Sequence, residues 1–117
     1  MVFWVILMKL ERIKTNVEFR RIYSRGASFV SPYFVLYVAN GIPGTVKFGI
    51  TVSKKIGNAV CRNRAKRLIR AAFREVFPLI ETQKNIVIVA RTRILSVKST
   101  TVTEELKKQL TKSGVIK

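Results

Sequence analysis

A chain of 117 residues suits one domain with one core and leaves no room for separate binding and catalytic domains. A hydrophobic share of 48% can build that core, while 23 Lys and Arg against 6 acidic residues give a formal net charge of +17. A domain this basic calls for a polyanionic partner, nucleic acid first and an anionic membrane surface second. The acidic residues are all glutamates (Glu11, Glu18, Glu75, Glu81, Glu104 and Glu105), with no Asp and no His, so neither a metal-holding carboxylate cluster nor a histidine base is to hand. That argues against a self-sufficient nuclease.

Met1 to Met8 is an apolar run, too short to span a bilayer and lacking the basic flank and cleavage site of a signal peptide. It reads either as an extra strand or anchor, or as sequence upstream of a true start at Met8, with the domain occupying residues 9–117. Thr15-x-x-Glu18 is a capping box, followed by Phe19, Ile22 and Tyr23 at helical spacing and by Gly26 where a helix would stop. The next segments, Ala27 to Val30 and Tyr33 to Ala39, are β-branched and aromatic, and Ser31-Pro32 divides them into two strands or one broken strand. Phe34, Leu36 and Val38 face one way; Tyr33, Val35 and Tyr37 face the other. After the turn cluster Asn40 to Gly44, the residues Val46, Phe48, Ile50 and Val52 alternate with Lys47, Gly49, Thr51 and Ser53, which predicts an antiparallel hairpin with the preceding strand.

Asn58 is a good N-cap for a helix running to Pro78. On a helical wheel Cys61, Ala65, Leu68, Ile69, Ala72, Phe73 and Val76 gather on one side, and Asn63, Arg64, Lys66, Arg67, Arg70 and Arg74 on the other. A merely solvated charged face would interleave acids with bases, and this helix has only Glu75 to offer, so the stripe reads as a polyanion-binding face. Cys61, the lone cysteine, excludes an internal disulfide, fits a reducing cytoplasm and reads as a small core residue rather than a nucleophile. Ile86 to Ala90 is continuously apolar, as a strand covered on both faces should be. Thr101-x-x-Glu104 repeats the capping logic, placing Glu104 and Glu105 on the first turn of a closing helix whose Val102, Leu106 and Leu110 are apolar and which ends near Gly114. The expected fold is α+β: a single-domain, two-layer sandwich of order αβββαβα.

The stretch Phe48 to Arg70, with its core Arg62-Asn63-Arg64 followed by Lys66-Arg67 and Arg70, resembles the signature of the ribonuclease P protein family. The resemblance extends to Arg12-Ile13-Lys14 with Asn16 and Phe19, to Gly26, to Phe34 through Tyr37 and to Ile86 through Arg91. Cys61 in place of an aliphatic residue, a short loop from Gly41 to Thr45 and the apolar head depart from the pattern. The resemblance implies a four-stranded sheet with three helices and a left-handed βαβ crossover through the basic helix, against the general rule for such crossovers. It implies that Lys54, Lys55, Arg62, Asn63, Arg64, Lys66, Arg67, Arg70 and Arg74 contact the ribonuclease P RNA. Phe19, Tyr23 and Tyr37 would line a cleft for the single-stranded 5′ leader of precursor tRNA. By their residue types alone these three aromatics read as core before cleft, although the hydroxyls of Tyr23 and Tyr37 would suit a cleft wall.

It further implies a protein with no catalytic residue and no metal or cofactor of its own, one copy per RNA and no membrane contact. Mg²⁺ is then required by the RNA subunit, which performs the endonucleolytic cleavage. A noncatalytic RNA-binding module of ribosomal-protein or RNA-chaperone type stands as the alternative function.

Overall fold

The computed structural model describes residues 9–41, 44–80 and 82–116, so the expectations for residues 1–8 lie outside the described residues. Five strands are present: β1 (Lys9–Arg12), β2 (Ala27–Val30), β3 (Phe34–Asn40), β4 (Thr45–Thr51) and β5 (Lys84–Ala90). Three α-helices join them: α1 (Asn16–Arg25), α2 (Ala59–Val76) and α3 (Ser99–Ser113). The α+β class holds, with one strand more than expected. Lys9-Leu10-Glu11-Arg12 is too short and polar to announce a strand. It becomes one by pairing in parallel with the outer edge of β4, Lys9 opposite Thr45 through Arg12 opposite Phe48.

The sheet order is β1-β4-β5-β3-β2, which corrects the expected hairpin of β3 with β4. β5 lies between them, antiparallel to β3 and parallel to β4. The physical reason is burial: β5 is apolar on both faces, and the centre of a sheet is where both faces are covered. Ile86, Ile88 and Ala90 belong to the main core and Val87 to a second cluster behind the sheet. The connection from Asn40 to Thr45 has only to step over one strand, roughly 10 Å, which a few extended residues reach. Gly41 N–H donating to the Gln83 carbonyl at 3.2 Å fastens it to the segment entering β5.

The hairpin that does form joins β2 to β3, with Val30 opposite Val35. Buried Ser31 makes the bend, its Oγ accepting from the N–H groups of Tyr33 and Phe34 at 3.2 Å each. Tyr33, outside the strand, packs with the main core rather than with Tyr37.

α2 and α3 cover one face of the sheet. Ala65, Ile69, Ala72, Phe73 and Val76 of α2 and Val102, Leu106 and Leu110 of α3 close over Phe34, Leu36, Val46, Ile86 and Ile88. Cys61 and Leu68 pack half-buried at the margin of this core. α1 adds partial cover on the opposite face, where Ile22 meets Ile13 and Val87. Both predicted caps of α1 and α2 form: Thr15 Oγ1 accepts from Glu18 N–H at 3.2 Å and Asn58 Oδ1 from Cys61 N–H at 3.0 Å. The capping box expected at Thr101 does not. α3 begins earlier, at Ser99, with Lys98 as its cap residue and no side-chain cap, because Val102 must already lie on a helical turn to reach the core. Glu104 and Glu105 therefore lie beyond the first turn, and Glu105 accepts from Gln109 Nε2 at 2.9 Å. α3 ends as expected at Gly114, whose φ of +82° is left-handed.

Candidate nucleic-acid interface

The basic helix is reached through a turn at Lys54–Ile56, pinned by the buried Ile56, which leaves Lys54 and Lys55 exposed just ahead of α2. Along α2 the apolar stripe is turned into the core, so the cations must face outward. Asn63, Arg64, Arg67, Arg70 and Arg74 are exposed, while Arg62 and Lys66 are half-buried. None of these basic side chains takes part in a salt bridge among the described residues, where Lys47 with Glu18 is the ion pair observed, at 3.3 Å. Unneutralised cations at this density repel one another and favour a phosphate backbone alongside.

What appeared on the wheel as one stripe is two rows. Arg64 and Arg67 are exposed and lie outside the cavity lining. Lys66, Arg70 and Arg74, spaced by four residues, line a cavity of about 500 Å³ together with Phe48, Phe77 and Glu11. Sequence reasoning missed Phe48, Phe77 and Glu11, since two were read as core or helix-end residues and the third lies on the strand that was not expected.

The three aromatics come together behind the sheet. Tyr23 and Tyr37 meet edge to face with ring centroids 4.9 Å apart, and Phe19 lies 6.3 Å from Tyr23. All three are half-buried against Ile13, Ile22 and Val87, so each is neither pure core nor fully exposed. Tyr23 Oη shares a 2.6 Å hydrogen bond with Thr51 Oγ1, which fixes its ring. Phe19 lies directly on β4: a Cβ added at Gly49 would stand 2.7 Å from Phe19 Cε1, so only glycine admits the ring there. The Glu18–Lys47 pair ties the same end of α1 to β4. These contacts set a rigid, aromatic surface with one side open, suited to stacking unpaired bases.

No group of three or more His, Cys, Asp or Glu is placed to hold a metal ion among the described residues, and no helix of the described residues is long and apolar enough to cross a membrane.

Comparisons with known proteins point to one family. The family model for ribonuclease P matches residues 7–114. A ribonuclease P protein component from Listeria monocytogenes is 44% identical over 86 residues, 73% of this chain and 72% of that protein. One from Clostridium kluyveri is 37% identical over 112 residues, covering 94% of this chain and all 100% of its own length. Among solved structures, the Staphylococcus aureus RNase P protein superposes with a TM-score of 0.80 at 37% identity, covering 91% of this chain and 97% of that one. The Thermotoga maritima RNase P protein gives 0.75 at 30% identity, covering 84% and 93%. This breadth of similarity places the chain in the ribonuclease P protein family.

Proposed function

We propose that, as the protein partner of the catalytic RNA in ribonuclease P, this chain divides its RNA contacts between the two faces of its sheet. Family membership assigns the overall task, removal of the 5′ leader from precursor tRNA together with the RNA subunit. The division within the protein rests on α2 packing over one face of the sheet and the aromatic group over the other, the two meeting at one cavity that Phe19 lines together with Lys66, Arg70 and Arg74. Lys54, Lys55, Arg62, Asn63, Arg64, Lys66, Arg67, Arg70 and Arg74 hold phosphates of the ribonuclease P RNA. Such contacts position RNA without reading its sequence. Phe19, Tyr23 and Tyr37 stack on leader nucleotides, which suits leaders of differing sequence because every base has a π-face.

On this reading the protein contributes no reacting group. Mg²⁺ is held by RNA, and the cations of α2 lower the repulsion that opposes bringing leader, RNA subunit and metal together. One copy per RNA, in the cytoplasm, completes the proposal. The single observation that carries it is the convergence of three half-buried aromatics that no helix covers completely. The test mixes the purified chain with a bacterial ribonuclease P RNA and precursor tRNA at low Mg²⁺. A mature 5′ end should appear with both components, and the protein alone should leave the precursor intact. Cleavage by the protein after rigorous removal of RNA would overturn the proposal.

A further inference from the structure

The cavity between β1, β4 and α2 joins the two RNA-binding surfaces, Phe19 of the aromatic group and Lys66, Arg70 and Arg74 of α2, and adds a carboxylate, Glu11, that neither surface needs. Its volume of about 500 Å³ is in the range that holds a small organic ligand. Its lining includes the last pair of the β1–β4 ladder, Arg12 opposite Phe48. The Phe48 ring is fixed by stacking on Phe73, centroids 3.7 Å apart and planes 5° from parallel. Half-buried Phe48 and Phe77 thus form a rigid apolar wall, and Lys66, Arg70 and Arg74 run past it as one row of α2.

Glu11 is the unexpected member. Phosphate binding is weakened by a carboxylate nearby, yet Glu11 lines this cavity beside Lys66, Arg70 and Arg74. Among the described residues it makes no hydrogen bond and no salt bridge with any of them. An ionised carboxylate only accepts hydrogen bonds, with two oxygens side by side. Of the four RNA bases, guanine alone presents two adjacent donors on its Watson–Crick edge, N1–H and N2–H. Adenine and cytosine each put a ring nitrogen acceptor beside the single amino donor, and uracil flanks N3–H with two carbonyls. Charge-assisted bonds to a paired donor are the strong ones.

We infer that this cavity is a subsite for one unpaired guanine of an RNA strand: the base lies against Phe48 and Phe77, Glu11 receives its Watson–Crick edge, and the Lys66–Arg70–Arg74 row holds the flanking phosphate. The inference rests on the RNA-binding role of the family and adds a base preference to it.

The test uses the full chain and free GMP, IMP, AMP, CMP and UMP, following the Phe48 and Phe77 ring resonances by NMR. GMP should bind at least about tenfold tighter than AMP, CMP or UMP, with IMP between because it lacks the N2 amine. Glu11→Gln should bring all five within about twofold of one another, and Arg70→Ala should weaken all five alike. Equal binding of the nucleotides to the unaltered protein would overturn the inference, as expected if Glu11 took ribose hydroxyls instead, and so would a guanine preference surviving in Glu11→Gln. The comparison on the unaltered protein needs no variant to fold. The source of the guanine follows from a second measurement on Glu11→Gln: weaker assembly with the RNA subunit places it there, and weaker binding of precursor tRNA to the assembled holoenzyme alone places it in the leader. No change in either would refute the subsite. If the nucleotide preference is absent while RNA assembly and processing are normal, the subsite fails and the family role stands.

Discussion

Tyr37→Ala separates substrate recognition from folding more sharply than any other change. Tyr37 is half-buried on β3, between Ser28 on β2 and Val87 on β5, and its ring meets Tyr23 edge to face at 4.9 Å. Removing a fully buried aromatic costs about 3–5 kcal/mol. With part of the ring already in water, about 2–3 kcal/mol is the corresponding figure, the Tyr23 contact included. For a chain of this length that lowers the melting temperature by roughly 10 °C. Loss of one stacked base costs a further 1–3 kcal/mol in binding, roughly 5- to 150-fold, and only where a leader is present. The assay is the affinity ratio of precursor to mature tRNA for the assembled holoenzyme, with thermal unfolding recorded beside it. Val87→Ala is the control: fully buried beneath the same cluster, it should lose about 2 kcal/mol of stability and leave the ratio unchanged. A normal ratio in folded Tyr37→Ala, or an equal fall in Val87→Ala, would show that Tyr37 is a core residue and that the leader lies elsewhere.

Arg64→Ala and Arg67→Ala, both at exposed positions of α2, should each reduce the slope of log affinity for the RNA subunit against log salt by about one unit per lost phosphate contact. Unchanged slopes in both would return that row to a solvated face. Gly49→Ala should force Phe19 off β4 and cost about 1–3 kcal/mol by overpacking, with a parallel loss of precursor affinity; unaltered unfolding and binding would mean that the ring relaxes freely. Asn58→Ala removes the cap on Cys61 N–H and should cost about 1 kcal/mol in thermal or denaturant unfolding, and no loss at all would show that water replaces it.

Much of this protein is legible in its sequence because the signals are local. The caps at Thr15 and Asn58, the stop at Pro78 and the apolar stripe of α2 each act within a turn or two of helix, so their residue types suffice. The opposition of stripe and cations on α2 is likewise a property of helical periodicity, and burial of the stripe in the core obliges the basic residues to face out. The doubly covered character of β5 could be read from Ile86 to Ala90, but not its neighbours, since a strand apolar on both faces competes for the centre of the sheet against every other strand. That competition placed β5 between β3 and β4, where the turn cluster had suggested a hairpin.

Tertiary structure alone decided the rest. β1 exists because the outer edge of β4 offers hydrogen-bonding groups to Lys9–Arg12, a long-range pairing with no mark in four short residues. Phe19, Tyr23 and Tyr37 read by residue type as core, and their half-buried state appears only once α1 is seen to cover part of its face, because exposure depends on which element lies overhead and not on the residue itself. The cavity that gathers Glu11 from β1, Phe48 from β4 and Arg70 from α2 draws on three elements distant in the chain. Local periodicity fixes which way a side chain points from its own backbone, and only the packing of those backbones decides what it meets.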